Sequence, residues 1–344
     1  MSVIIEKIAY ALPKTVITNE ELRAQHPGWD FEHLEDRTGV FQRHIAHQGE
    51  TALDLAEKAC HTLIPDAGAG VEFEDIDGLI FCTETPDHPI PSNACLLHGR
   101  LGLPQNVLSL DINMGCSGYI YSLEVARSLI VNGTARKILL VTGDTYSRFI
   151  SPEDRATTVL FGDGAAVSIV SGQNGTSGIV DTSLGSDGKH YGRFMVPAGG
   201  ARQPISAETA ERTVDRSGNI RSAEEITMDG IGVLSFFNAT IPGAVTTLLR
   251  RNNLDITDID LFFFHQASRI ALASLQRALS ISDGQMYVSL ATVGNLVSAS
   301  IPVALKMAAD EGRLRPGSRI ILCGFGVGLS WGTTLLQIPE AIDL

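Results

Sequence analysis

The 344-residue sequence contains few cysteines, and none of them form a C-x-x-C pair. Their odd number and scattered positions exclude the familiar zinc-binding spacings and argue against a disulfide framework. Reduced thiols are therefore expected, as is usual for cytoplasmic proteins. The five cysteines are Cys60, Cys82, Cys95, Cys116 and Cys323.

Long hydrophobic runs and an excess of positive charge are also missing. No stretch approaches the ~20 uninterrupted apolar residues of a membrane-spanning helix. The opening MSVIIEKIAY carries a charge by its sixth position, so no secretory signal is predicted. The net charge of −13 and the pI near 5.1 argue against a nucleic-acid-binding protein. These absences predict a cytoplasmic protein that binds neither membranes nor nucleic acids.

What the chain does contain is enough apolar sequence for a large core. Hydrophobic residues make up 44% of it and charged residues 19%, a balance typical of folded rather than disordered proteins. The length is comfortable for two fused units. The 34 glycines indicate tight turns and places where two backbones approach closely.

An approximate internal repeat organises the chain. EDIDGLIFCTE, near residue 75, parallels TDIDLFFFHQA, near residue 258. The match places Asp77 opposite Asp260 and Cys82 opposite His265. Farther along each copy, NMGCSGYIYSLEVARS parallels TVGNLVSASIPVALKM. This second match aligns Cys116 with Asn295. Several ordered matches with small gaps are difficult to attribute to chance.

Each copy indicates a buried strand, a loop, a helix opening on small residues, and another buried strand. ILLVTG and IILCG are continuously apolar, as in strands covered on both faces. Strands that alternate with helices predict an α/β fold with parallel sheets. We therefore predict two pseudo-symmetric halves, 1–173 and 174–344, joined by the Gly/Ser/Asn-rich SGQNGTSG. Segment 185–225 is predicted to be an irregular excursion, and Thr18 or Asn19 is predicted to cap a helix.

Three reactive residues fall at corresponding places in the repeat. Cys116 opens the helix of the first copy, Asn295 stands at the same place in the second, and His265 ends a strand. Pseudo-symmetric halves should bring equivalent helix starts to a common interface, so the three side chains are expected to converge. The positive end of a helix lowers the pKa of a thiol. A histidine can accept a proton or donate a hydrogen bond, and an amide can donate to developing negative charge.

Each of these residues also has an ordinary structural interpretation. A thiol among small residues can simply pack, a histidine can be satisfied by a backbone carbonyl, and an asparagine can cap a helix. The joint occurrence of all three in register with the repeat favours function. Cys60, Cys82 and Cys323 are predicted to pack.

The motifs together resemble a known family. NMGCSGY, FFHQAS, VGNLVSAS and GFGVGLSWG, with FGDGAAV and RTGVFQRHIA, are similar to the ketoacyl-(acyl carrier protein) synthase III (KAS III) group of the thiolase superfamily. The resemblance covers almost the whole chain. It implies a thiolase fold, in which duplicated pseudo-symmetric α/β halves form a layered αβαβα architecture. The first half would carry the nucleophilic cysteine and the second half the histidine and asparagine.

The resemblance implies a two-stage condensation without a metal or cofactor, in fatty-acid or specialised-metabolite synthesis. Cys116 would take an acyl group from acyl-CoA, the coenzyme A thioester serving as substrate. A malonyl thioester on acyl carrier protein would then lose CO₂ and attack, giving a β-ketoacyl product. His265 and Asn295 would stabilise the enolate that decarboxylation creates. The acylation oxyanion would be bound by backbone N–H groups of Cys116 and of one residue among Gly326, Val327 and Gly328.

The same resemblance assigns binding residues and a partner chain. Arg37 and Arg155 match arginines that contact the nucleotide end of coenzyme A, although solvated surface arginines are an equally good interpretation. The segment TPDHPIPSNAC matches a loop that crosses a homodimer interface, so Ile90 is expected to line the partner's acyl pocket. A homodimer is therefore expected.

Several positions depart from the family pattern. His33 stands where the family commonly has a tryptophan that stacks on adenine. Leu296 and Val297 follow the Gly-Asn step in place of small residues, and Val327 replaces a glycine. These departures concern the CoA contact and the acyl specificity, and they point to a divergent member from a specialised pathway.

Other functions were weighed against this one. Papain-like proteases share the Cys-His-Asn order, but their fold has no place for the repeat. An acyltransferase that moves the acyl group to a hydroxyl or amine without decarboxylation is the main alternative. A silent subunit would be expected to lose the nucleophile, which is present here. Docking of the acidic carrier protein would need a basic patch. The candidate residues for this patch are Arg250, Arg251, Arg269 and Lys306. They are equally well interpreted as scattered solubilising charges.

Overall fold

The computed structural model describes residues 1–64 and 73–340. The strands are, in chain order, β1 (Ser2–Ala11), β2 (Thr15–Thr18), β3 (Gln42–Ile45), β4 (Gly78–Cys82), β5 (Leu108–Ile112), β6 (Lys137–Asp144), β7 (Gly164–Gln173), β8 (Gly178–Ser186), β9 (Phe194–Met195), β10 (Thr213–Val214), β11 (Ile220–Arg221), β12 (Thr227–Met228), β13 (Leu261–Phe264), β14 (Arg319–Gly326) and β15 (Ser330–Gln337). The helices are α1 (Asn19–Gln25), α2 (Phe31–Thr38), α3 (Ala52–Leu63), α4 (Asn93–Arg100), α5 (Gly118–Val131), α6 (Arg155–Thr158), α7 (Gly230–Arg251), α8 (Arg269–Leu279), α9 (Leu290–Val293) and α10 (Ser300–Asp310).

Two sheets with matching strand orders form the framework. The first has the order β1-β7-β6-β4-β5 and the second, read in the same direction, the order β8-β15-β14-β13. β4 is parallel to β6, as β13 is to β14. β6 is antiparallel to β7, as β14 is to β15. Four strands of the first sheet therefore correspond to the four strands of the second, as the internal repeat predicts, and β5 is an additional strand at the edge of the first sheet.

The two aspartates aligned by the repeat make equivalent bonds at the start of their strands. The Asp77 N–H donates to the carbonyl of Lys137 at 2.9 Å, and its carboxylate accepts the N–H of Arg136 at 2.8 Å. The Asp260 N–H donates to the carbonyl of Arg319 at 2.9 Å, and its carboxylate accepts the N–H of that same residue at 2.8 Å. Each aspartate thus links the starts of two neighbouring parallel strands.

The elements stack in five layers around three large hydrophobic cores. α3 and α4 cover one face of the first sheet, α7 and α8 cover the outer face of the second, and α5 and α10 lie between the sheets. Alternate residues of one strand serve different cores, since side chains point to opposite faces of a sheet. Phe263 lies in the central core and Phe264 in the outer one. The predicted αβαβα thiolase architecture is confirmed.

Smaller predictions are also met. Thr18 caps α1, and its hydroxyl and Glu21 form a capping box. SGQNGTSG connects β7 of the first sheet to β8 of the second, so it is a linker between sheets. The segment that follows β8 contains only a short 3₁₀ turn and the two-residue strands β9, β10 and β11 before residue 225. The division into halves at 173/174 stays a prediction.

Helix α7 is long and apolar enough to cross a membrane, the one such helix in residues 1–64 and 73–340. A single helix of this kind is weak evidence for a membrane span, because core helices of globular proteins pass the same test. Its buried side chains include Phe236, Phe237, Ile241 and Val245, which pack into the core over the second sheet.

Candidate active site

Cys116 lies in the short connection between β5 and α5, two residues before the helix begins. Its side chain is 3% exposed. The next residue, Ser117, shares a 2.7 Å hydrogen bond with the hydroxyl of Ser330, the first residue of β15. Ser117 is thereby tied to the 326–328 turn, which begins at the last residue of β14, leads to β15 and contains the sequence-predicted Gly326, Val327 and Gly328.

This turn approaches Cys116 so closely that only glycine fits at its first position. A Cβ on Gly326 would stand 2.6 Å from the Cys116 Cβ and 2.7 Å from Sγ, which are distances that real Cβ atoms do not tolerate. The backbone N–H of Val327, the next residue, is directed at the thiol, as is that of Cys116 itself. Two N–H donors therefore converge beside the sulfur, as an oxyanion hole requires.

The expected lowering of the pKa of Cys116 is wrong for the unliganded protein. Burial raises the pKa of Cys116 well above its ordinary value, and the charge of Glu84 raises it further, while the N–H groups of Val327 and Cys116 act in the opposite direction. Desolvation disfavours the thiolate more than these two N–H groups favour it. The thiol therefore needs a proton acceptor when it reacts.

His265 and Asn295 are brought together by different parts of the second half. His265 follows β13, and its N–H donates to the carbonyl of Cys323 in β14 at 2.8 Å. The Asn295 N–H donates to the carbonyl of Leu160 at 3.0 Å. The Asn295 Oδ1 accepts the N–H of Val297 at 2.9 Å. This bond turns the amide nitrogen toward the ring, 3.3 Å from the His265 Nε2.

The repeat predicts that Asn295 stands at the start of α10, but the structure places it before that helix. A 3₁₀ turn, Val297–Ala299, separates it from that helix, whereas Cys116 lies close to the start of α5. Val297 has a φ of +53°, which is rare for a β-branched residue. A tight turn therefore separates Asn295 from the helix that follows it, and the Asn295 side chain reaches His265 from a loop.

The imidazole of His265 is buried and neutral. Burial lowers the pKa of His265 to about 3, because an imidazolium would lose its hydration. Among residues 1–64 and 73–340, no group forms a hydrogen bond with its Nδ1 atom. With the hydrogen on Nε2, the imidazole and the Asn295 amide are two uncharged donors side by side. A single acceptor oxygen placed between them would receive both hydrogen bonds.

The predicted ligand-binding residues lie on the surface. Arg37 is exposed near the end of α2, and the carbonyls of Glu35 and Asp36 in that helix accept hydrogen bonds from Arg269 at the start of α8. Arg155 in α6 is half-buried, and its guanidinium donates to the Ser217 carbonyl at 2.6 Å. The Ile90 side chain is 86% exposed, and His33 is exposed as well.

The four candidate carrier-protein contacts do not form one patch near the site. Arg250 and Arg251 end α7 and lead to the start of β13, the end opposite His265. Arg251 forms an ion pair with Asp181. Lys306 lies in the second half of α10 and forms an ion pair within that helix. Arg269 is the one candidate of the four that lies near His265, because it begins α8. The expectation that all four basic residues lie near the site is wrong, because each helix runs the length of its sheet and one of its ends is far from the site.

Sequence reasoning missed an acidic cluster beside Cys116. Glu84 follows β4, Asp144 ends β6 and Tyr146 follows it. Burial raises the pKa of Glu84 to about 7, and burial together with the charge of Glu84 raises that of Asp144 to about 8. The available signal was positional, because the carboxyl ends of adjacent parallel strands share one edge of a sheet. Within residues 1–64 and 73–340, no group of three His, Cys, Asp or Glu side chains is placed to hold a metal ion.

Comparison with known proteins gives consistent matches. Residues 110–188 match the family model for 3-oxoacyl-[acyl-carrier-protein] synthase III, and residues 249–338 match its C-terminal counterpart. The chain is 35% identical to a β-ketoacyl-[acyl-carrier-protein] synthase III from Rhodopirellula baltica, over 95% of both chains.

Solved structures agree with these sequence matches. A crystal structure of a 3-oxoacyl-(acyl-carrier-protein) synthase III, 38% identical, superposes with a TM-score of 0.95 over 98% of this chain and 100% of the other. The priming β-ketosynthase of the R1128 polyketide pathway, 25% identical, superposes with a TM-score of 0.84 over 98% and 97% of the two chains. The chain therefore belongs to the 3-oxoacyl-[acyl-carrier-protein] synthase III family, the KAS III branch of the thiolase superfamily.

Proposed function

We propose that the protein is a ketosynthase that loads an acyl group from acyl-CoA onto Cys116 and condenses it with malonyl-acyl carrier protein. The proposal rests on two separate pairs of hydrogen-bond donors in the site. Backbone N–H groups of Val327 and Cys116 face the thiol, and His265 and Asn295 form a separate uncharged pair with their nitrogens 3.3 Å apart. Two carbonyl groups must be activated in such a condensation, one in each stage.

In the first stage, the Cys116 sulfur attacks the carbonyl carbon of the acyl-CoA thioester. Negative charge develops on the carbonyl oxygen, and the N–H groups of Cys116 and Val327 stabilise it. Collapse of the tetrahedral intermediate expels coenzyme A and leaves the acyl group on the sulfur. Gly326 leaves room for this bond change because it has no side chain to crowd the nucleophile.

In the second stage, the thioester carbonyl of the malonyl group lies between His265 and Asn295. Loss of CO₂ leaves an enolate, and the two donors stabilise its oxygen. The low pKa of His265, about 3, suits this role, because a neutral ring donates without surrendering a proton to the enolate. The enolate carbon then attacks the acyl-enzyme, which gives the β-ketoacyl product and frees the Cys116 sulfur.

The proposal extends to partners and surroundings. By mechanism the enzyme is an acyltransferase that needs thioester substrates and neither metal nor cofactor. Ile90, 86% exposed on a single chain, is assigned to the interface of a homodimer, where it would line the partner's acyl pocket. Arg37 and Arg155 are assigned to the nucleotide end of coenzyme A. The cytoplasm, where both thioesters occur, is the proposed location.

The first prediction concerns the acyl-enzyme. Incubation with a panel of acyl-CoAs of increasing chain length should add one acyl mass to the intact protein, located by peptide mass spectrometry at Cys116. The chain length that reacts most completely would identify the starter. Absence of an adduct with every acyl-CoA, or an adduct on another cysteine, would contradict the assignment of the nucleophile.

The second prediction separates the two stages. Asn295→Ala should lower CO₂ release from labelled malonyl-acyl carrier protein by about 10²–10³-fold, the usual cost of losing one such donor. Acylation of Cys116 should change by only a few-fold, since Asn295 does not contact the first carbonyl. A rapid-quench assay for the adduct and a radiometric assay for CO₂ measure the two stages. Equal losses in both would assign Asn295 a structural role.

The same CO₂ measurement distinguishes the alternative acyltransferase. The wild-type acyl-enzyme should release labelled CO₂ when malonyl-acyl carrier protein is added. Transfer of the acyl group to an alcohol or amine without release of CO₂ would favour that alternative. Retention of the uncharged His265–Asn295 pair is the feature that favours condensation.

A further inference from the structure

A cluster of ionisable side chains surrounds the nucleophile and has no role in the two stages described above. Glu84 is half-buried, while Asp144 and Tyr146 are buried. Glu84 therefore keeps some accessible surface among buried neighbours, and its charge raises the pKa of the Cys116 thiol. During acylation this thiol must lose its proton.

The backbone before Cys116 places Glu84 against the nucleophile. A Cβ on Gly115 would stand 2.5 Å from the Glu84 Oε2 and 2.5 Å from the Val327 Cγ1. The carboxyl group, the residue before Cys116 and Val327 of the 326–328 turn therefore meet at one point. A side chain at position 115 would force the Glu84 carboxylate and Val327 to move.

Hydrogen bonds hold Glu84 in this place. The Tyr146 hydroxyl donates to the Glu84 Oε2, and the Glu84 N–H donates to the Asp144 Oδ1 at 2.8 Å. The other oxygen of Asp144 accepts the hydroxyl of Ser298 at 2.5 Å. Ser298 lies in the 3₁₀ turn that follows Asn295. Tyr146 thus holds the Glu84 carboxyl group, Asp144 holds the Glu84 backbone, and the turn after Asn295 holds Asp144. This degree of positioning suits proton transfer.

The charges around Glu84 favour exchange of one proton with the thiol. The groups coupled to Glu84 by charge are the thiols of Cys82 and Cys116, the Asp144 carboxyl and the Tyr146 phenol. All of these are neutral or negative. A carboxylate beside a thiolate would place two negative charges in a poorly hydrated site. Transfer of the thiol proton to Glu84 keeps the total charge constant and avoids this repulsion.

His265 is poorly suited to the same task. Burial lowers the pKa of its ring to about 3, and no carboxylate in the described part of the chain bonds its Nδ1, which lacks a partner there. A cysteine–histidine pair usually relies on such a third group to orient and stabilise the charged ring. The acidic cluster, in contrast, lies next to the thiol and can hold a proton near neutral pH.

We propose that Glu84 is the proton acceptor for Cys116, acting directly or through one water molecule. This inference rests on the proposed function, in which Cys116 is acylated. As the S–H bond breaks, its proton moves to a Glu84 oxygen, and the sulfur electron pair forms the bond to the acyl carbon. When the bond between that carbon and the coenzyme A sulfur breaks, the departing sulfur takes the proton from Glu84. Tyr146 is a positioning residue that tunes the carboxyl group through its hydrogen bond.

The third prediction tests this role with Glu84→Gln, which keeps the shape and the hydrogen bond from Tyr146 but cannot carry the proton. Acylation of Cys116 at pH 7 should slow by about 10²-fold or more. The wild-type rate should rise with pH through the pKa of Glu84, about 7, because only the carboxylate accepts a proton. This rise should vanish in Glu84→Gln.

Two further measurements make the result specific. Alkylation of Cys116 by iodoacetamide, which needs only the thiolate, should become several-fold faster at pH 8 in Glu84→Gln, because the negative charge that raises the pKa of the thiol is gone. Tyr146→Phe should instead shift the acylation profile to higher pH, because the phenol lowers the pKa of Glu84. A purely structural Glu84 would not change acylation and alkylation in opposite directions.

The outcomes separate this proposal from the proposed function. Unchanged acylation with an unchanged pH profile in Glu84→Gln would overturn the role of Glu84, as would unchanged alkylation. Failure of the wild-type protein to form an adduct with any acyl-CoA would instead refute the proposed function, and the alkylation comparison would still decide whether Glu84 and the thiol are coupled. Thermal unfolding of each variant verifies that the fold is intact.

Discussion

Replacing Cys116 by alanine is expected to abolish the acyl-enzyme and to lower the rate of condensation by at least about 10⁴-fold. Covalent catalysis divides one difficult acyl transfer into two easier steps, and without the sulfur neither step has an intermediate. Removal of a nucleophile that works within a catalytic group usually costs losses of this size. Intact-protein mass spectrometry and a β-ketoacyl product assay measure both effects.

The chain supplies a matched control for this substitution. Cys60 is a buried free thiol in α3, in the core that covers the first sheet, and Cys60→Ala should retain both the adduct and the condensation rate. A surviving adduct in Cys116→Ala, or its disappearance in Cys60→Ala, would move the nucleophile to another position. Because Cys116 is buried in contact with the 326–328 turn and Cys60 is buried as well, the unfolding temperatures of both variants should be recorded alongside their activities.

The second large effect is expected from Gly326→Ala, which removes none of the predicted catalytic side chains. The added methyl group would lie 2.6 Å from the Cys116 Cβ, an atom too close to the backbone to move aside. Either the thiol or the turn carrying the Val327 N–H must shift. Since a displacement of about 1 Å can cost about 10²-fold in rate, acylation should fall by at least that factor.

Gly243→Ala is the control for the Gly326 substitution. Gly243 is exposed in helix α7, and a Cβ there would meet nothing within 4 Å, so activity should be unchanged. Wild-type acylation by Gly326→Ala would mean that the turn is not as close to the nucleophile as the structure places it. The two rates are read from the same rapid-quench acylation assay, which removes differences between substrates.

The fold and the central residues could be anticipated because both follow from local patterns. Continuous apolar runs identify strands buried on both faces, and the repeat relates Asp77 to Asp260 before any contact is known. It also predicts that Cys116, His265 and Asn295 form one group. The structure places the side-chain nitrogen atoms of His265 and Asn295 3.3 Å apart, and their joint role with Cys116 stays a prediction.

Features that depend on packing between distant segments could not be anticipated. The environment of Glu84 is formed by β4, by the end of β6 and by the turn that follows Asn295, and no local spacing encodes that meeting. The pKa of Cys116 was misjudged because helix position is visible in a sequence but desolvation is not. Arg250 and Arg251 were misplaced for a related reason, since a sequence gives a helix but not which end of the sheet it reaches.

The central layer makes the two sheets mutually dependent in folding. α5 packs on β14 and β15 of the second sheet as well as on the first sheet, and α10 packs in return on β1 and β7 of the first. Neither central helix could bury its whole surface against one sheet alone. Unfolding should therefore be a single cooperative event. A substitution that weakens either sheet lowers the population of molecules in which thiol, ring and amide are assembled, however far from the thiol it lies.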